Sequence, residues 1–282
     1  MKEKRKVLLR IALSILVLFF FYLPIYDALK TSLTPFSDIL KSPPNILPQP
    51  FTFQEYIVIF TTPKWINSFA VTALYSVTSV LIVLFVSGLA AYGLSRYKFR
   101  GKATYMFTIL TTDIISFGFL MIPLMFIFQF LGLYDSYLGM ILVTASSLIP
   151  FGVWTLRGFL DQIPVDMEEA GIIDGASTLQ VLYHILIPVS ISGFISTGTL
   201  VFIAAWSGGF LSSLLLTRNE TYFPVVRSIF ELWFSARTGG ALPLLPYNRI
   251  MAASLLAALP PMAIYVVLQK KIVKGLTAGA LK

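Results

Sequence analysis

The sequence contains no cysteine and only one histidine, His184, among its 282 residues. The absence of cysteine excludes disulfides, iron–sulfur clusters and thiol nucleophiles. A single histidine excludes every site that needs two, including the H-E-x-x-H zinc site. No G-x-x-x-x-G-K-[ST] loop occurs either, so the chain does not bind ATP by that route. These gaps argue against an enzyme, and no residue is assigned as catalytic or metal-binding.

Charged residues are also scarce, at 12% of the sequence, where an ordinary soluble domain carries about 25%. A soluble protein of this size has too much surface to cover with so few charges. The composition therefore excludes a soluble enzyme, a nucleic-acid-binding domain and a disordered chain. The mean hydropathy of +0.83 and the long apolar runs predict an all-α polytopic membrane protein rather than a β-barrel.

Six apolar segments are long enough to cross a bilayer, which takes about 20 residues. They cover residues 7–26, 69–94, 105–131, 137–156, 189–216 and 250–268. With both termini cytoplasmic, fourteen of the 21 lysines and arginines lie inside, as the positive-inside rule requires. The net charge of +8 thus indicates topology rather than nucleic-acid binding. We predict one domain over residues 1–282, with six transmembrane helices and an uncleaved first span, because no small-residue cleavage site follows it.

The segment between the fourth and fifth predicted spans, residues 159–188, is acidic although it is predicted to be cytoplasmic. Its acids are Asp161, Asp166, Glu168, Glu169 and Asp174. Pro164 is expected in the first turn of a short helix. Gly175 predicts the end of that helix at positive φ, and Ser177 or Thr178 predicts the cap of a second helix. The residues alone leave two interpretations at about equal weight: a rigid bracket that docks on a basic partner, and an ordinary amphipathic loop.

The spacing in this segment resembles the EAA loop of binding-protein-dependent ABC importer permeases. Glu169-Ala170-Gly171 is followed after three residues by Gly175, and after nine more by Ile185-Leu186-Ile187-Pro188. Gly171 replaces the second alanine of the family pattern and Ile187 replaces a leucine. Asp174 to Ser177 also matches the longer form D-G-A-[ST].

Further segments agree with the same family over residues 65–282. They are the N-S pair at 67–68, the short motifs at 122–124, 131–133 and 137–139, and the tail at 275–280. The tail resembles that of the carbohydrate-uptake class, specifically the maltose-type second permease subunit. Two positions depart from the pattern. Ser192 stands where the family has a second proline, and the segment at 206–210 replaces the usual W-N-[ED]-F.

The resemblance implies a type I ABC importer permease fold in the cell membrane, with the bilayer as its environment. It implies a heterodimer with a second permease subunit, two ATPase subunits below and an extracellular solute-binding protein above. ATP and Mg²⁺ would be bound by the ATPase, and this chain would hold no cofactor. The coupling loop would comprise Glu168, Glu169, Ala170, Gly171, Asp174, Gly175, Ala176, Ile185 and Pro188. Glu169 would make the polar contact with the ATPase.

Four residues within predicted spans are candidates for the translocation path: Asp113, Ser196, Thr199 and Trp206. An acid at membrane depth tends to face a path or a partner, although Asp113 could instead bond to neighbouring hydroxyls. Small hydroxyl residues such as Ser196 and Thr199 also serve close helix packing. For the whole chain, the alternatives are a permease for a non-sugar solute, a stand-alone secondary transporter or channel, and a polytopic membrane enzyme.

Overall fold

The computed structural model describes residues 2–39, 46–112, 117–238 and 245–280. All regular structure within these ranges is helical, which confirms the all-α prediction. In chain order the helices are α1 (Lys2–Ser32), α2 (Phe36–Ile39), α3 (Gln54–Thr61), α4 (Pro63–Arg96), α5 (Lys102–Thr112), α6 (Phe117–Phe130), α7 (Tyr137–Leu160), α8 (Val165–Ile173), α9 (Thr178–Val181), a π-helix (Leu182–Leu186), α10 (Ile187–Val189), α11 (Ile191–Leu216), a 3₁₀ turn (Glu220–Tyr222), α12 (Val225–Thr238) and α13 (Tyr247–Ala280).

Five helices in the described ranges are long and apolar enough to cross a membrane. They are α1, α4, α7, α11 and α13, which correspond to the first, second, fourth, fifth and sixth predicted spans. Several extend past the predicted bounds because helical hydrogen bonding continues into polar flanking turns after the apolar run has ended. The predicted third span corresponds to α5 and α6. The intervening residues 113–116, and with them the candidate path residue Asp113, lie outside the described residues.

The chain separates into two compact units, and the prediction of a single domain stays a prediction. The first unit contains residues 1–66 and 228–258. Its central polar contact joins α3 to the start of α13. The Arg249 Nε donates to Glu55 Oε2 at 2.6 Å, and Asn248 Nδ2 donates to Glu55 Oε1 at 3.1 Å. Glu55 is only 8% exposed, and a buried carboxylate needs hydrogen-bond partners. Two neighbouring residues of another helix supply them.

The second unit contains residues 67–227 and 259–282, and α4, α7 and α11 form its core. Small residues let these helices approach closely. The Ser79 and Ser87 hydroxyls of α4 donate to the carbonyls of Ile141 and Ile149 on α7, at 3.3 and 3.2 Å. A Cβ at Gly152 would lie 2.5 Å from the Ser87 Oγ, so the backbones meet where no larger residue fits. Close backbone contact of this kind is the usual way that helices associate in a membrane.

Asp135 connects the turn before α7 with the end of α11 in the same unit. Its carboxylate Oδ1 accepts from the backbone N–H groups of Arg218 and Asn219, at 3.0 and 3.1 Å. Its own N–H donates to the Leu216 carbonyl at 2.6 Å. Asp135 has a φ of 58°, a conformation that aspartate tolerates better than most residues. These bonds satisfy backbone groups that the end of α11 would otherwise leave unpaired.

Candidate functional site

The acidic segment after α7 forms two short helices around a tight turn, as predicted. α8 begins directly after Pro164 and ends before Gly175, which has a φ of +88°. Pro164 therefore precedes the helix rather than occupying its first turn. Ser177 caps the next helix in a capping box: its N–H donates to Gln180 Oε1 at 2.7 Å, and Gln180 N–H donates to Ser177 Oγ at 3.4 Å.

The second part of the segment is continuous from Thr178 to Val189 but contains a π-helix at Leu182–Leu186. Such a turn holds one residue more than the regular α-helix and often marks functional sites. Pro188 lies just past it in α10 and is exposed. The Ser190 N–H then donates to the Leu186 carbonyl at 2.9 Å, where α11 begins. The segment is thus joined to the fifth span with hardly any intervening loop.

An apolar cluster seats this segment on the ends of α4 and α7. The buried members are Ala91, Tyr92, Leu156, Leu160, Ile163, Val181, Leu182 and Leu186. Five of these side chains come from α4, α7 and the turn after it, and three from α9 and the π-helix. Burial of eight side chains is a substantial apolar stabilisation. The segment is therefore a rigid attachment rather than a free loop.

The two adjacent glutamates of α8 have opposite environments. Glu169 is exposed, as are Ala170 and Asp174. Glu168 is only 6% exposed and its carboxylate is bound from α4, by Tyr92 Oη at 2.5 Å and Arg96 Nε at 2.7 Å. The sequence identified both glutamates as coupling-loop residues. The structure places Glu169 on the surface and Glu168 inside.

Gly171, which replaces an alanine of the family pattern, lies buried against the second half of the segment. A Cβ at this position would lie 2.5 Å from Ile185 Cδ1, another predicted site residue. Asp174, Gly175, Ala176 and Ile185 line one shallow cleft together with Gln180 and His184, about 330 Å³ in volume. The structure therefore brings four of the predicted residues to one surface feature.

The segment also exposes several large apolar side chains. They are Val165, Met167, Ile172, Ile173, Leu179 and Tyr183, and Ile173 is 84% exposed. Large apolar side chains this exposed at the end of a helical bundle are typical of a protein interface. The segment thus exposes an acid, Glu169, as well as large apolar side chains.

The candidate path residues of α11 are buried within the chain. Ser196, Thr199 and Trp206 are 0%, 3% and 5% exposed. Their hydroxyls bond within the helix, Ser196 to the Ser192 carbonyl and Thr199 to the Ile195 carbonyl, both at 2.7 Å. Trp206 packs against Phe202, with 5.5 Å between the ring centroids. Their role in a path stays a prediction.

A cleft between α7 and α11 was not anticipated from the sequence. It has a volume of about 210 Å³ and is lined by Thr144, Ser147 and Ser212 among mostly apolar residues, with Gly208 at its wall. The signal was present as spacing, because residues three or four apart share one helix face. Thr144 and Ser147 obey that rule, as do Gly208 and Ser212. Among the described residues no group of three His, Cys, Asp or Glu side chains could hold a metal ion.

The sequence as a whole matches one protein family. The family described as a binding-protein-dependent transport system inner membrane component matches residues 4–277. The chain belongs to this family. It is thus a transport permease, which is a membrane component rather than an enzyme.

Individual relatives align with 82% to 96% of this permease. It is 31% identical to the inner membrane ABC transporter permease protein YcjP of Escherichia coli, over 92% of this chain and 90% of that protein. It is 30% identical to the trehalose transport system permease protein SugB of Mycobacterium tuberculosis, over 96% of both. It is 32% identical to the trehalose/maltose transport system permease protein MalG of Thermococcus litoralis, over 82% of this chain and 81% of that protein.

Solved structures agree with the fold of the permease. A bacterial ABC transporter involved in the import of the acidic polysaccharide alginate superposes with a TM-score of 0.80 at 25% identity, over 95% of this chain and 96% of that one. A bacterial alginate ABC transporter in complex with a periplasmic protein bound to an alginate pentasaccharide gives a TM-score of 0.66 at 16% identity, over 94% and 93%. The ABC importer permease fold expected from the EAA-like segment is confirmed.

Proposed function

We propose that this permease forms half of the translocation path of an ATP-driven importer for a sugar or oligosaccharide. The observation that carries the proposal is the ordered segment Val165–Val189, which presents Glu169 on an exposed acidic and apolar surface while its other side is fixed to α4 and α7. A surface held rigidly to the transmembrane helices is suited to transmit motion of a docked partner.

The partner at this surface is an ATPase subunit with a groove of basic and apolar character. Two such subunits bind ATP and Mg²⁺, and the permease itself holds no cofactor. Closure of the ATPase pair moves the segment as a rigid body, and the attached helices follow, which alternates access to the path. The chain crosses the membrane of the cell six times, with both termini on the ATPase side.

The substrate class follows from the relatives and is compatible with the cleft between α7 and α11. Two relatives are trehalose and trehalose/maltose transport permeases, and a similar solved transporter is involved in the import of alginate. The hydroxyls of Thr144, Ser147 and Ser212 could hydrogen-bond a sugar, and apolar neighbours could contact its ring. A second permease completes the path, and a solute-binding protein on the opposite face delivers the sugar.

The test is co-purification followed by a transport assay. The tagged permease, expressed with its neighbouring transporter subunits, should retain an ATPase and support ATP-dependent uptake of the sugar that its binding protein recognises. Glu169→Lys should remove ATPase association while the protein remains inserted, because the charge of the docking surface reverses. Glu220→Lys, the same change at an exposed acid outside the segment, should leave ATPase association unchanged. Full transport by Glu169→Lys would contradict the proposed docking surface.

A further inference from the structure

The buried carboxylate of Glu168 binds Arg96, which lies 72 residues earlier in the chain. Arg96 is the last residue of α4, and its guanidinium also donates from Nη2 to the Ile163 carbonyl at 3.2 Å. Tyr92, one turn earlier on α4, donates to the other carboxylate oxygen at 2.5 Å. The α8 helix is thus bound to the end of α4 by two polar contacts, and the turn before α8 is bound by a third.

The environment makes this connection strong. The side chains of Arg96 and Glu168 are each only 9% exposed. A buried ion pair of this kind is costly to break, because removing one partner leaves an uncompensated charge. Glu168 also lies in the first turn of α8, where the helix dipole stabilises a carboxylate. The exposed pair between Arg157 and Asp161, at 3.2 Å, has no comparable burial.

The connectivity of the chain gives the pair its importance. The segment follows α7 and precedes α11 in the chain, so both helices are pulled directly when it moves. α4 has no such covalent connection and can follow only through contacts. α4 nevertheless contacts both of these helices. Its Ser79 and Ser87 hydroxyls donate to carbonyls of α7, and its Tyr75 hydroxyl donates to the Ala205 carbonyl of α11 at 2.9 Å. If the segment, α7 and α11 moved without α4, the contacts between α4 and these two helices would be broken.

We propose that Glu168, Arg96 and Tyr92 are positioning residues that make α4 move with the segment during transport, an inference that rests on the proposed function. Glu168 does not contact the ATPase. It transfers the displacement of α8 to the second span, while its neighbour Glu169 receives that displacement at the surface. Two adjacent glutamates therefore divide docking and transmission between them.

The test measures three quantities for the complete transporter in proteoliposomes: ATPase association, ATP hydrolysis and sugar transported per ATP hydrolysed. Glu168→Gln keeps the shape and an oxygen for Tyr92 but removes the charge that binds Arg96. We expect ATPase association and hydrolysis to persist and transport per ATP to fall about tenfold, a typical factor for coupling between distant sites. Asp27→Asn makes the same change at an exposed acid outside the segment and should stay within about twofold of wild type.

Transport per ATP unchanged in Glu168→Gln would overturn the inference. So would loss of ATPase association, because Glu168 would then belong to the docking surface. If Glu168→Gln does not accumulate, the double variant Arg96→Met/Glu168→Leu decides, since apolar pairs often replace buried ion pairs without loss of stability. Low transport per ATP in that variant supports the inference, and wild-type transport per ATP contradicts it. A wild-type permease that retains no ATPase would instead refute the proposed function.

Discussion

Tyr75 of α4 fills the space above Gly209 of α11. The Tyr75 side chain is fully buried, and its hydroxyl donates to the Ala205 carbonyl at 2.9 Å. A Cβ at residue 209 would overlap that hydroxyl and lie 2.5 Å from Tyr75 Cζ. The glycine pair at 208–209, which departs from the family's usual sequence, thus has a packing explanation at its second position.

Gly209→Ala should therefore destabilise the helix core. We expect a loss of about 1–3 kcal/mol, the usual cost of forcing a methyl group into a packed interior. Thermal unfolding of the detergent-solubilised protein measures it. Gly208→Ala is the matched control, because no atom lies within 4 Å of a Cβ there. Equal melting temperatures for the two variants would contradict the assigned contact.

Loss of the Glu55 carboxylate should weaken the first unit. Glu55→Ala leaves Arg249 and Asn248 without their partner, and we expect about 1–3 kcal/mol of destabilisation, the cost of an unsatisfied polar group. Asp27→Ala is the control within the same unit, since Asp27 pairs with Lys30 at 2.7 Å but is 67% exposed. Such a surface pair contributes about 0–1 kcal/mol. Limited proteolysis should therefore cleave the Glu55→Ala variant faster than the Asp27→Ala variant.

Gly171→Ala, which restores the family's alanine, should be nearly neutral. The added methyl meets only the terminal Cδ1 of Ile185 closely, and that side chain is partly exposed, so it can rotate away. Helix propensity compensates by about 1 kcal/mol. The double variant Gly171→Ala/Ile185→Val removes the offending methyl and should be more stable than either single variant in thermal unfolding. A double variant less stable than Gly171→Ala would show that this contact is not the limiting one.

Gly175→Ala should disturb the turn through its backbone alone. No atom lies within 4 Å of a Cβ there, but the φ of +88° is unfavourable for other residues. The expected cost is about 1–2 kcal/mol, and Gly175→Asn should cost less because asparagine tolerates the left-handed region. ATPase association should fall more in Gly175→Ala than in Gly175→Asn. Gly158→Ala, a helical glycine with equally open surroundings, should show no loss.

Much of this architecture could be predicted from the sequence because the signals are local. Apolar runs indicated the long helices, and the turn residues Gly175 and Ser177 indicated the boundary between the two short helices of the acidic segment. Helix ends were less predictable, since the backbone of α13 continues to Ala280 well beyond its apolar run.

The opposite environments of Glu168 and Glu169 could not be predicted. Neighbouring residues of a helix point about 100° apart, so which one faces inward depends on what lies beside the helix. Here the decisive neighbours are Tyr92 and Arg96, at 76 and 72 positions from Glu168, and no local pattern encodes such a contact. Local spacing places Thr144 with Ser147 and Gly208 with Ser212 on shared helix faces, but it does not say that these two faces meet, so the cleft between α7 and α11 could not be predicted.

The π-helix at Leu182–Leu186 has a consequence for how this segment tolerates changes in length. Its extra residue is held in one wider turn between the capped start at Ser177 and the membrane helix that follows. Deleting one residue inside this turn would restore regular α-helical winding and leave the residues before it close to their present orientation. Deleting one residue from the first turns of α11 would instead rotate everything before the deletion by about 100° about the helix axis. The chain should therefore tolerate the loss of one residue at Leu182–Leu186 better than the same loss in the regular helix that follows.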